Sequence, residues 1–244
     1  MRLKCIACEV LARPLYYCAA RSRQIVDIDL VAKGLHESPA ELRSQLQTLI
    51  DDVESDGYDA VVLAYGLCGK ATAGLVASEI PLVMPRAHDC ITLFLGSRDR
   101  YEDQFENNPG TFWYAQDYIE RHDGSGSEWA MGAAGENLKE KYQEFVAKYG
   151  GDNADYLMEV MGAWREHYDR AVFIDMGVGD ASQIEERARE EATRRGWSFE
   201  RITGDLVLLR RLLEGEWEED FLVLEPGQKV DMAYDSSVIC VLSE

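Results

Sequence analysis

Tyr58-Asp59-Ala60-Val61-Val62-Leu63-Ala64-Tyr65 runs apolar from Ala60 into the turn Gly66-Leu67-Cys68-Gly69. So short an apolar run, closed by glycines, is the pattern of a strand covered on both faces, as in a parallel sheet. Upstream, Ser38-Pro39-Ala40-Glu41 carries a helix start, with Ser38 as N-cap, Pro39 at the first helical position and Glu41 closing a capping box. Leu42, Leu46, Leu49, Ile50 and Val53 follow at helical spacing, and Asp56-Gly57 ends the helix. Further back, Leu3 to Cys8 and Gln24 to Leu30 read as strands. Downstream, Ala71 to Ser78 reads as a short helix and Pro81 to Met84 as a third buried strand. This alternation specifies an α/β fold, a doubly wound parallel sheet with helices on both faces.

The remainder of the chain suggests three regions. Residues 1–120 form a first α/β half. Residues 121–169 form a helical connection, with Gly124-Ser125-Gly126-Ser127 as a flexible tip and helices over Asn137 to Tyr149 and Ala154 to Tyr168. Residues 170–244 form a second α/β half: strand Arg170 to Asp175, helix Ala181 to Arg195 capped by Gly196, strand Ser198 to Ile202, helix Leu206 to Leu213 and strand Phe221 to Leu224.

Composition limits the function. Of the 244 residues, 46% are hydrophobic and 29% charged, an ordinary globular balance. No apolar run approaches the roughly 18 residues of a membrane helix. The N-terminus lacks the pattern of a signal peptide, so a cytoplasmic location is expected. A formal charge of −20, without clustered Lys and Arg, argues against a nucleic-acid partner. In a reducing compartment the six cysteines are thiols or metal ligands rather than disulfides.

Parallel sheets bind ligands beyond the carboxyl ends of their strands. Each of the three expected buried strands delivers cysteine there: Cys5 and Cys8 with the first, Cys68 after Tyr65, and His88 with Cys90 after Met84. If the last segment is extended, His88 and Cys90, two residues apart, point to one side. Cys5, Cys68, His88 and Cys90 then make a three-thiolate, one-imidazole set suited to zinc, or to an iron–sulfur cluster with one unusual ligand. Asp89 or Glu9 could orient a ligand. Cys8 reads as core, because Cys5 and Cys8 face opposite sides of a strand. Among the remaining histidines, His36 is the best functional candidate.

A second chemistry is metal-free. Gly66-Leu67-Cys68-Gly69 between a strand and a helix resembles a nucleophile elbow, so Cys68 could attack with His88 as base, or act as in a cofactor-independent racemase. Gly66, Gly69, Lys70, Arg86, Gly204 and Asp205 are candidate cofactor-binding positions: glycines admit a ligand to the backbone, and Lys70 and Arg86 suit an anion. A third reading is a binding module gripping a cofactor or partner through Tyr101, Phe105, Phe112, Trp113 and Tyr114. There is no phosphate loop, no H-E-x-x-H, no dinucleotide glycine motif and no D-x-H-x-x-G.

Ile6-Ala7-Cys8-Glu9, Tyr65-Gly66-Leu67-Cys68-Gly69, Pro85-Arg86-Ala87-His88-Asp89-Cys90-Ile91 and Leu95-Gly96-Ser97 resemble the prokaryotic family known as domain of unknown function 1638. Pro109-Gly110-Thr111, Gly215-Glu216-Trp217 and Pro226-Gly227 extend the resemblance over most of the chain. It implies a cytoplasmic prokaryotic protein encoded near corrinoid-dependent methyl-transfer systems, with a corrinoid methyltransferase as partner. It implies no activity and assigns no residue a role.

Overall fold

β1 (Arg2–Cys8) is the strand on which the main sheet is built, with Leu3, Cys5, Ile6 and Ala7 fully buried. The computed structural model describes residues 1–121 and 168–242. β2 (Ile25–Val31) pairs with one side of β1 and β3 (Ala60–Ala64) with the other, both in parallel. β4 (Leu82–Pro85) continues the parallel set beside β3, and β8 (Phe221–Leu224) closes it antiparallel, giving the order β2-β1-β3-β4-β8. The protein is therefore α/β with a parallel-dominated sheet.

The chain leaves β1 in one direction to make β2, then crosses back to make β3 on the other side. Between β1 and β3 lies the topological switch point, where neighbouring loops diverge and leave a crevice. α1 (Ala12–Ala19) links β1 to β2, and α2 (Pro39–Asp51) buries Leu42, Leu46 and Ile50. α3 (Cys90–Leu95) follows β4, and α4 (Arg98–Asn107) follows α3.

A second sheet has the order β5-β6-β7, from β5 (Thr111–Ala115), β6 (Arg170–Asp175) and β7 (Ser198–Thr203), with β5 and β6 parallel. α5 (Gln116–Glu120) and α6 (Ser182–Arg195) belong with it. Phe112, Tyr114, Ile119, Phe173, Ile184, Ala188 and Ala192 form its core.

The chain divides into two compact units, Met1–Glu102 with Met176–Gly179 and Thr203–Glu244, and Asp103–Asp175 with Asp180–Ile202. Residues 203–244, expected with the second half, thus group with the first. The reason is pairing: β8 completes the first sheet, and α7 (Val207–Glu214) packs on α1, β3 and β4. The hairpin β9 (Val230–Met232) and β10 (Ile239–Val241) belongs to this unit too.

Three local expectations change. No helix forms over Ala71 to Ser78. Gly74 sits at φ +94°, and the segment bonds to a distant stretch instead, through Gly74 N to Val230 O (2.8 Å) and Ala77 N to Gln228 O (2.9 Å). Ser38 occupies the N-cap of α2 but its side chain makes no capping bond, so the capping box is not closed. Cys90 is the first residue of α3, not part of an extended segment shared with His88. The connecting helices expected over 137–149 and 154–168 lie, but for Tyr168, outside the described residues, as does the 124–127 tip.

Candidate functional site

Cys8 ends β1, and Ala7 pairs with Ala64, the last residue of β3. Tyr65 is therefore one rung beyond, at the level of Cys8. Past the strand ends the β3–β4 pairing persists through backbone bonds, from Leu67 N to Ala87 O (2.8 Å) and from Cys68 N to His88 O (2.9 Å). Gly66 makes this closeness possible: a Cβ there would stand 2.6 Å from Asp89 N, 2.7 Å from Asp89 Cα and 2.9 Å from Ala87 O. Only glycine lets the two turns touch. Cys68, Gly69 and Lys70 then run consecutively at φ +45°, +63° and +74°, which folds the turn back over the sheet edge.

Asp89 fixes the other turn. As N-cap of α3 its Oδ1 accepts Ile91 N at 2.9 Å and Thr92 N at 3.3 Å, and the Tyr101 hydroxyl donates to Oδ2 at 3.3 Å. His88 is exposed and stacks on Tyr101, ring centres 5.4 Å apart. On the β2 side, Glu9 Oε1 accepts Lys33 N at 2.9 Å. This ties the turn Lys33–Glu37 to the end of β1, and His36 in that turn stacks on Tyr65 at 6.1 Å.

The three thiols Cys8, Cys68 and Cys90 lie within electrostatic reach of one another. Burial, above all, pushes the Cys8 thiol up to about 12, with the Glu9 carboxylate adding to it. Burial raises Cys68 further, helped by Asp89 and by Cys8. Cys90 rises for the same reasons, burial first, then Asp89, Cys68 and Cys8. Asp89 is itself raised by burial, against the pull of its N–H donors. Cys68 and Cys90 nonetheless keep some accessible surface, so they line a recess open to solvent. The Tyr65 hydroxyl is buried beside Cys8 and Cys68, with the Cys8 thiol as its neighbour within hydrogen-bonding reach.

The expected ligand set is thus assembled only in part. Cys68 and Cys90 meet, with His88 at the rim. Cys5 does not join them; it is fully buried in mid-strand, and the charges it feels are Asp29 and Lys4. Cys8, read as core from the sequence, is buried; as the last strand residue, on the opposite face from Cys5, it lies within electrostatic reach of Cys68 and Cys90. Among the described residues, no group of three or more Cys, His, Asp or Glu side chains stands ready to hold a metal ion.

The other candidates have structural roles. Gly66 serves turn packing, and Gly69 has open space around it. Lys70 is exposed and its carbonyl accepts Arg43 Nη2 at 2.6 Å. Arg86 Nη1 donates to Ile239 O and, at 3.4 Å, to Ser237 O, bracing the β9–β10 hairpin rather than awaiting an anion. Asp205, after Gly204, accepts Val207 N at 2.8 Å at the start of α7 and bonds Phe94 O through its own N–H at 2.9 Å. The nucleophile elbow is also missing, since no helix follows Cys68. Of the aromatic segment, Phe112, Trp113 and Tyr114 are buried in β5 and only Phe105 is largely exposed, so these residues form no open apolar face.

Among the described residues no helix is long and apolar enough to cross a membrane. Neither a curated protein nor a solved structure matches the chain. One family model does, over residues 30–213, a span that holds His36, Tyr65, Cys68, His88 and Cys90. The chain therefore belongs to the family described as protein of unknown function DUF1638.

Proposed function

We propose that the protein binds a soft metal ion, zinc or the iron of an iron–sulfur cluster, through Cys8, Cys68 and Cys90 at the switch point of its main sheet. The observation that carries this reading is the convergence of these three residues, from three different strand ends, beside the buried Tyr65 hydroxyl. The three thiols are protonated and neutral in the metal-free protein, and their sulfurs are the donor type that a soft cation selects. A bound cation deprotonates the thiols outright and holds the resulting thiolates by attraction. The side chains turn toward a common centre on binding, and the accessible sides of Cys68 and Cys90 leave an approach for an exchangeable ligand. A thiolate-bound metal with an open position activates a thiol or another soft substrate. That chemistry accords with a place beside corrinoid-dependent methyl transfer, the setting implied by the resemblance, in a reducing cytoplasm.

Cys68 as a metal-free nucleophile has less support, because its thiol is pushed up rather than down and no helix follows it in the chain. The test is elemental analysis and absorption spectroscopy of anaerobically purified protein. Near-stoichiometric zinc or iron is expected, lost in Cys8→Ser, Cys68→Ser and Cys90→Ser and retained in Cys5→Ala and Cys240→Ser. A folded wild-type protein that neither carries nor takes up zinc, cobalt or a cluster overturns the proposal.

A further inference from the structure

β2 is an edge of the main sheet; among the described residues its one strand partner is β1. Ile25 N donates to Met1 O at 3.0 Å, and the register then runs unbroken from Arg2 beside Ile25 to Cys8 beside Val31. In a parallel ladder that start turns the backbone groups of Ile25, Asp27, Asp29 and Val31 toward β1. The N–H and C=O groups of Val26, Ile28 and Leu30 therefore point outward, and among the described residues none of them has a hydrogen-bond partner. Natural sheets blunt such an edge with proline, a bulge or charge. β2 has no proline or bulge, and five of its seven residues are apolar, with Ile25 62% exposed. The two acids that could repel a neighbouring strand are already bound to cations of β1: Asp27 to Arg2 at 3.0 Å and Asp29 to Lys4 at 2.8 Å. A groove of about 690 Å³ runs beside this strand, lined among others by Arg2, Lys4, Tyr16, Val26, Ile28 and Tyr58.

We propose that this groove receives β2 of a second copy of the chain, the two strands pairing antiparallel about a two-fold axis at Ile28 and joining two main sheets into one. The sequence of the strand matches itself under that operation: Ile25-Val26-Asp27-Ile28-Asp29-Leu30-Val31 reads apolar, apolar, acid, apolar, acid, apolar, apolar in both directions. Ile28 exchanges both backbone bonds with Ile28 of the second copy, and Val26 does the same with Leu30, so every outward group is paired. On the other face Asp27 stands across from Asp29 of the second copy. Like charges placed so repel one another, but each carboxylate arrives with its own cation. Two acids and two bases from each chain thus meet without net charge, in a protein whose formal charge is −20. The self-matching order favours a second copy over an unrelated strand.

Analytical ultracentrifugation of the full-length chain is expected to show a dimer that dissociates on dilution. Ile28→Pro removes an N–H that faces away from β1, a change an edge strand tolerates. It deletes both central bonds of the interface and is expected to weaken the dimer by about 30-fold or more. Val26→Lys, an edge lysine of the kind that blocks strand addition, should also weaken it. Residue-resolved hydrogen exchange of the wild-type protein gives a readout that depends on no variant's folding. The amides of Val26, Ile28 and Leu30 should be protected in the dimer and exposed on dilution, whereas those of Asp27 and Asp29, bonded to β1, stay protected throughout. A monomer whose three outward amides exchange freely at every concentration overturns the proposal and leaves the edge to a foreign strand. A monomer in which they are always protected overturns it too, because the edge is then covered from within the chain. So does a dimer that neither substitution weakens, whose interface must lie elsewhere.

Discussion

Replacing Gly66 by alanine tests whether the Cys68 and Cys90 turns are one rigid assembly. The new methyl would meet Asp89 N, Asp89 Cα and Ala87 O at 2.6–2.9 Å, all of them backbone atoms that no side-chain rotation can clear. The β3 and β4 turns must then part, at the expense of the bonds from Leu67 N to Ala87 O and from Cys68 N to His88 O. Two backbone hydrogen bonds at ~1 kcal/mol each, with a further ~1–3 kcal/mol for overpacking, bring the loss to about 3–5 kcal/mol. Gly69→Ala is the control. It shares the positive φ, at +63°, but has nothing within 4 Å of the added Cβ, so only the left-handed backbone penalty of about 1–2 kcal/mol applies. Urea unfolding followed by circular dichroism measures both, and metal titration of each variant tests whether parting the turns disperses the thiols. Equal, small losses in the two variants, or a Gly66→Ala protein as stable as wild type with unchanged metal affinity, would refute the argument.

The thiols make two further outcomes measurable. Zinc binding should release roughly three protons, seen as calorimetric heats that depend on buffer ionisation enthalpy; one or none would mean the three thiols are not ligands. In the metal-free protein, burial raises Cys5 and Cys8 to about 12 and Cys18 to about 11, above the ordinary thiol value of 9.0. A raised folded value means the unfolded chain gives up its protons first. The contribution to stability is full below the unfolded value and is lost as pH climbs through the folded ones. The urea midpoint of the apo protein should therefore fall between about pH 9 and pH 12, and a flat profile would contradict the burial of these groups. Arg86→Ala should lower stability by about 2 kcal/mol, through loss of charged bonds to the β9–β10 hairpin, and leave metal content unchanged.

The first sheet was legible because its strands are short apolar runs closed by glycine or proline, a pattern that burial on both faces imposes. β3 and β4 appear within a residue or two of where the sequence puts them. Where the structure departs, long-range pairing outweighs local propensity. Ala71 to Ser78 has helix-forming residues, yet its backbone bonds go to residues 227–230, which no local pattern announces. The return of 203–244 to the first unit has the same origin. Phe221 to Leu224 is visible as a strand, but nothing in those residues says that β4 will be its antiparallel partner. β5 was hidden because Phe112, Trp113 and Tyr114 read equally as an exposed aromatic patch and as a buried strand.

The site turned on parity. Cys5 and Cys8 lie three apart on one strand and face opposite sides, so only one of them can belong to the cluster at the carboxyl edge. Both were visible; what decides between them is the last rung of β1, which sets Cys8 level with Tyr65 and leaves Cys5 three residues back in the core. The same reasoning separates the two histidines. Spacing alone favours His88, two residues from Cys90, but the start of α3 at Cys90 breaks the extended geometry on which that depended. His36 lies far from every cysteine in sequence; the pairing of Val31 with Cys8 and the Glu9–Lys33 bond bring its turn to the end of β1. Residues brought together from separate loops are therefore readable from sequence only up to the choice of strand ends; the register of β1 against β3 decides which of them lie level.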